Sequence, residues 1–207
     1  MYTVYTIPGS CSNGVTALLE KLGLDYLTVK RDDVANFTDI VPTNQVPAIK
    51  TPDGMVIAEG AAIVLYLIEK HGPKTLSSSI DEKAKFYELL MFNYATLHVI
   101  YSKLFNVAFA LDMSESERQS VLEQYADKAT ATWAIVNKRL GDKLYMMGNE
   151  PSVIDYLLAI YTSWNNNLSS VNIELGDKVI ALMHRVSELP EFIASYAKEG
   201  VTFNKVN

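Results

Sequence analysis

The chain has 207 residues, 49% of them hydrophobic, and a single cysteine. That much apolar material builds one large domain or two small ones. One thiol excludes both an internal disulfide and a dithiol redox pair, so a reducing, cytoplasmic setting is the expectation. A net charge of −6 without a Lys/Arg cluster excludes nucleic acid as the main partner. No run approaches the ~20 apolar residues of a membrane span, and no basic stretch ahead of an apolar core marks a signal peptide.

In chain order, residues 1–5 read as a strand, stopped by Pro8 and Gly9. Val15, Leu18, Leu19 and Leu22 then recur at helical spacing, so residues 13–22 are expected to be a helix closed by Gly23. A second strand is expected at 26–30, a short helix or turn at 33–40, and a third strand at 46–50. Thr51-Pro-Asp-Gly54 has turn chemistry and predicts a hairpin to a strand at 55–58. A nearly all-apolar helix at 59–71 follows, ended by Gly72-Pro73, and residues 73–78 read as a linker. The order is β-α-β-α-β-β-α.

Beyond residue 79 only helical signals remain. Ser79 with Glu82, Ser114 with Glu117, and Ser152 with Asp155 have capping-box spacing. They open expected helices at 83–105, 118–140 and 153–164, the last apolar on nearly every face and therefore central. Helices at 177–187 and 191–198 complete the set, with Pro190 between them. Residues 112–118 read as a solvated helix start.

Cys11 lies where the first strand hands over to the first helix. Unsatisfied first-turn amides and the helix dipole lower the pKa of a thiol placed there, which marks a candidate thiol-handling site. The alternative is a cysteine used as a small buried hydrophobe. His71, His98 and His184 are too scattered for a metal site. No phosphate loop, dinucleotide fingerprint or nucleophile elbow is present in the sequence.

Three segments carry a resemblance. Pro8-Gly-Ser-Cys-Ser12, Asn44-Gln-Val-Pro-Ala-Ile49 with Pro52-Asp-Gly54 and Ala58-Glu-Gly-Ala-Ala-Ile63, and Met147-Gly148 with Ser152-Val-Ile-Asp155 follow one another in order over nearly the full length. Together they resemble the cytosolic glutathione S-transferases, most closely the bacterial beta class. The resemblance implies a thioredoxin-like domain at 1–75 followed by an all-helical domain at 82–207. It implies a cis Val46–Pro47 bond that turns the Val46 main chain toward an extended peptide. It also implies glutathione as co-substrate, without a metal.

Under that resemblance, Val46, Pro47, Glu59 and Gly60 bind glutathione. The Gly60 and Ala61 amides meet a carboxylate at a helix start, and Glu59 meets the ammonium group. The glutathione sulfur lies at Cys11 and Ser10, with Ser12 another hydroxyl donor and Tyr5 a secondary candidate where other classes use a tyrosine. Asn93 resembles a beta-class asparagine that reaches glutathione across a homodimer. His98 follows after five residues, where the family histidine follows after seven, a difference of about 200° on a helix. His98 therefore faces the site only if the helix is shortened or bulged between them.

His98, Tyr101 and Phe105, with Tyr94, would line the second-substrate pocket for a small hydrophobic electrophile or disulfide. The expected activity is detoxifying transfer of glutathione to electrophiles, or peroxide reduction. Glutathione-dependent disulfide reduction and a non-catalytic stress or partner-binding role are the alternatives. A maleylacetoacetate isomerase is disfavoured because Asn13-Gly-Val15 stands where that family places an arginine.

Overall fold

β1 (Tyr2–Thr6) forms the spine of a four-stranded sheet of order β2-β1-β3-β4. It pairs in parallel with β2 (Tyr26–Lys30), Tyr2 opposite Tyr26, and antiparallel with β3 (Ala48–Lys50), Val4 opposite Ile49. A parallel pair needs a crossover, and α1 (Ser12–Lys21) supplies it. β3 and β4 (Val56–Ala58) form the expected hairpin. Its turn is closed by Thr51 N–H to Met55 O at 2.8 Å and Gly54 N–H to Thr51 O at 2.9 Å. Gly54 adopts φ +91°, a conformation that favours glycine. The computed structural model describes residues 1–72 and 79–206, so the expected linker at 73–78 lies outside the described residues.

The chain divides by contact into two units, Met1–Glu88 with Ser187–Phe203, and Leu89–Val186 with Asn204–Asn207. In the first unit, α1 packs on β1, on α2 (Gly60–His71) and on α8 (Pro190–Glu199). Residues Ser12 to Leu19 are all buried, because the helix is covered on several sides. α8 is pinned to α1 by Lys198–Glu20 at 2.8 Å and Lys21–Glu191 at 3.9 Å. The expected helix or turn at 33–40 resolves into two 3₁₀ turns, Arg31–Asp33 and Phe37–Asp39. β3 starts at Ala48, two residues later than expected, since Pro47 has no N–H for a ladder.

Among its described residues, the regular elements of the second unit are helices joined by turns and loops. The single helix expected at 83–105 is α3 (Ile80–Met91), whose residues 80–88 belong to the first unit, then a π-helical turn at Phe92–Leu97 and α4 (His98–Phe109). α5 (Glu115–Leu140) starts from the Ser114–Glu117 capping box. α6 (Val153–Ser163) starts from the Ser152–Asp155 box and is buried from Val153 to Thr162, as its sequence predicts for a central helix. α7 (Asp177–Ser187) follows.

Candidate glutathione site

The turn between β1 and α1 is held from several sides. Gly9 adopts φ +76° and donates its N–H to Oδ1 of the fully buried Asn13 at 3.0 Å. Ile7 O accepts from Ser10 N at 3.0 Å and from Ser12 Oγ at 3.2 Å. With the Ser12 proton spent on Ile7, the 2.8 Å contact between the two hydroxyls is donated by Ser10. Ser10 is half-buried, so its hydroxyl is the polar group this turn presents.

Cys11 stands at the N-cap of α1, as expected, but its thiol does not behave as expected there. The side chain is 4% exposed, and Sγ donates to Val46 O at 3.8 Å. Burial pushes the thiol up to about 12, outweighing the lowering by its own backbone amide. Desolvation of the charged form is larger here than the pull of a helix start. Cys11 is therefore a neutral S–H group at neutral pH, touching the Val46 main chain.

Tyr5 does not take part. It is 7% exposed and packs against Phe37, ring centroids 5.3 Å apart, in a cluster with Val41 and Ala48. Its place in the middle of the sheet's spine directs it into the core.

Val46–Pro47 is cis. At the other edge of this region, Glu59 is exposed and adopts φ +67°, ψ 107°, a strained conformation for a residue with a Cβ. It precedes the first turn of α2, which the Glu59 side chain does not cap. The Gly60 and Ala61 amides are thus first-turn donors behind an exposed carboxylate, a pairing that suits a zwitterionic ligand end. The strain at Glu59 was not legible in the sequence.

In the second unit, Asn93 is 1% exposed and donates from Nδ2 to Leu89 O at 3.0 Å, while Oδ1 has no hydrogen-bond partner among the described residues. The bulge that His98 requires is present. The Phe92–Leu97 π-turn lies between the two residues, and His98 N–H donates to Asn93 O. The His98 ring sits against Tyr161 at 5.8 Å and Trp164 at 5.6 Å, and burial lowers its pKa.

Tyr101 departs from the expected pocket wall. It is fully buried, accepting from Trp133 Nε1 at 2.8 Å and donating to Asn165 Oδ1 at 2.6 Å. Phe105 is half-buried, 5.6 Å from Trp164 and stacked on the exposed Phe109 at 6.1 Å. Trp164 and Phe109 are aromatic neighbours of His98 and Phe105 that the sequence reading did not single out. Phe109, one turn beyond Phe105, was the available signal. Among the described residues no group of three His, Cys, Asp or Glu side chains is placed to hold a metal ion.

Residues 9–70 match the family described as glutathione S-transferase, N-terminal domain. The chain is 25% identical over 201 residues to glutathione S-transferase GstA of Escherichia coli O157:H7, covering 94% of this chain and 96% of that one. Among solved structures it resembles a sphingomonad glutathione S-transferase complexed with glutathione, with TM-score 0.79, 23% identity, and 97% and 100% of the two chains covered. The bacterial beta-class enzyme of Sphingomonas chungbukensis gives TM-score 0.80 and 23% identity, with 97% and 100% covered. No helix among the described residues is long and apolar enough to cross a membrane. The chain carries a glutathione S-transferase N-terminal domain at residues 9–70 and resembles glutathione S-transferases in sequence and in fold over nearly its whole length.

Proposed function

We propose that this chain is a glutathione transferase acting on small electrophiles. Glutathione lies along the Val46 main chain, its γ-glutamyl carboxylate on the Gly60 and Ala61 amides and its ammonium at Glu59. Its sulfur then meets the Pro8–Cys11 turn. The observation that carries this reading is the α2 start, not capped by the side chain of the strained, exposed Glu59 before it, in the same unit as the Ser10–Cys11 turn. A backbone held in an unfavourable conformation at an open donor set is what a pre-organised binding site requires.

The chemistry divides between the two residues of the turn. Ser10 offers a hydroxyl that turns from Ser12 to the sulfur and favours its thiolate. The glutathione thiol loses its proton to solvent. The sulfur lone pair forms a bond to the electrophile, and the leaving group departs with its electrons. Cys11, neutral, buried and with its S–H on Val46 O, supplies no second thiolate, which favours transfer over mixed-disulfide exchange. Disulfide or peroxide reduction would need Cys11 to come out of its cover.

Under this reading His98, Phe105 and Trp164 receive the apolar co-substrate, and Asn93 serves a homodimer. Tyr87 and Met91, one turn apart on α3, are exposed apolar residues available for such a contact. A cytoplasmic setting and a detoxifying role belong to the same proposal. The test is glutathione-dependent conjugation of an aryl halide by the wild type and by Ser10→Ala. The proposal expects kcat to fall by about 100-fold in the variant while glutathione affinity holds within a few-fold. An equal loss of both, or no activity in the wild type, contradicts it.

A further inference from the structure

At its C-terminal end, α8 places a carboxyl group behind the candidate site. Glu199 is the last residue of that helix, is 6% exposed, and faces the Gly9–Asn13 turn. An acidic residue at a helix C-terminus opposes the dipole, and a local rule broken in this way marks a residue kept for another purpose. Among the described residues, neither carboxyl oxygen of Glu199 closes a full hydrogen bond, and neither does Nδ2 of Asn13. Yet the Gly9 N–H and the Asn13 side-chain amide both act on the carboxyl. The same Gly9 N–H donates to Asn13 Oδ1 at 3.0 Å.

We propose that Glu199 is a positioning residue for the candidate site, its charge state setting from behind the position of the Gly9–Asn13 turn that presents Ser10 and Cys11. This rests on the functional reading above. The arrangement has two states because Asn13 Oδ1 and the Glu199 carboxyl share one donor, the Gly9 N–H. When the carboxyl is neutral, Asn13 keeps that donor and the turn stays as described. When the carboxyl is charged, it draws the Gly9 N–H and Asn13 Nδ2 toward itself, and the turn shifts.

The surroundings favour the neutral state. Burial raises the carboxyl to about 8, against the pull of the Gly9 and Asn13 donors. On β2, Tyr26 faces Glu199 and is itself raised, first by burial and then by Glu20 and Glu199. Lys30, Asp33 and Lys198 line a cavity of about 250 Å³ beside Glu199. Lys198 is engaged by Glu20 at 2.8 Å and by the Tyr26 ring at 3.8 Å. On α1 and α8, Lys21 pairs with Glu191. Cys11 is the remaining titratable group on the turn, and it is neutral in this range.

The experiment is a nuclear magnetic resonance titration between about pH 6 and pH 10, following the Gly9 amide and the Glu199 side-chain carboxyl carbon. The proposal predicts one shared midpoint near about 8 for both signals and its disappearance at Gly9 in Glu199→Gln. It also predicts that kcat/KM for glutathione falls several-fold through the same midpoint in the wild type but not in Glu199→Gln.

A Gly9 amide that stays flat while the Glu199 carboxyl titrates overturns the proposal using the wild type alone. So does a Gly9 titration that survives in Glu199→Gln. A shared midpoint in a protein that binds no glutathione would retire the functional reading and leave the coupling intact.

Discussion

The backbone N–H of His98 donates to the carbonyl of Asn93, five residues earlier, across the π-turn at Phe92–Leu97. A regular helix would put these residues about 140° apart around the axis. The wider turn brings them much nearer to one face. It also sets the rotation of α4, whose Tyr101 reaches both Trp133 and Asn165. One extra residue in the helical path thus fixes the direction of His98, Tyr101 and Phe105 together.

Deleting Ala95, an exposed residue of the π-turn, converts it to ordinary helix and rotates everything after it by about 100°. Tyr101 then loses both partners. The variant is expected to be less stable by about 3–5 kcal/mol in urea denaturation, with altered Trp164 fluorescence. Alanine substitution at the adjacent Thr96 is expected to leave both within about 0.5 kcal/mol of wild type. Equal behaviour of deletion and substitution would show that the register carries nothing.

Tyr101→Phe removes one hydroxyl and leaves Trp133 Nε1–H and Asn165 Oδ1 facing an apolar ring. The expected cost is about 1–3 kcal/mol. A cycle with Trp133→Phe should show coupling of at least about 0.5 kcal/mol, because the two residues share one bond. Additivity would contradict the network.

Cys11 gives a labelling prediction. Its thiol is raised from an ordinary 9.0 to about 12 by burial, which lowers the thiolate fraction near neutral pH about 1000-fold. A disulfide reagent at about pH 8 should therefore modify the native protein at least about 100-fold more slowly than the unfolded chain. Comparable rates would show an open, acidic thiol and would restore mixed-disulfide chemistry as the leading mechanism.

Glu59→Gly separates stability from binding. Glycine relieves the strain at φ +67° and is expected to stabilise the fold by about 1 kcal/mol. It also removes the carboxylate proposed for the glutathione ammonium, so affinity should fall by about tenfold. Strain retained for function shows this opposition of signs. A variant that is both more stable and as tight a binder would remove Glu59 from the site.

Glu199 gives a stability slope. Its folded pKa of about 8 lies above the ordinary 4.5, so the unfolded chain gives up the proton first as pH rises. Stability contributed by the neutral carboxyl is full below about 4.5, declines through the interval, and is lost above about 8, by at most about 1.4 kcal/mol per pH unit. The difference in unfolding free energy between wild type and Glu199→Gln should follow that decline. A difference that does not vary with pH would place Glu199 in an ordinary ionised state.

Much of this architecture was legible in the residues. Capping boxes at Ser114 and Ser152, the Thr51–Gly54 turn and the apolar wrap of Val153–Trp164 each name their element, because local chemistry and tertiary packing agree there. The site was less legible where tertiary surroundings override local rules. Burial reverses the expected effect of a helix start on Cys11, and the core claims Tyr5 and Tyr101. The π-turn has no signal in hydrophobic spacing, and the conformation of Glu59 has none in residue type. Glu199 breaks the helix-charge rule in plain sight, but its burial beside Gly9 and Asn13 is visible only in the fold.

The most direct test is a titration of the amide-labelled protein with reduced glutathione up to millimolar levels. Saturating shifts at Val46, Gly60 and Ala61 together with Ser10 and Cys11 would place the peptide and its sulfur as described. Shifts confined to other parts of the sheet, or none at all, would contradict the account.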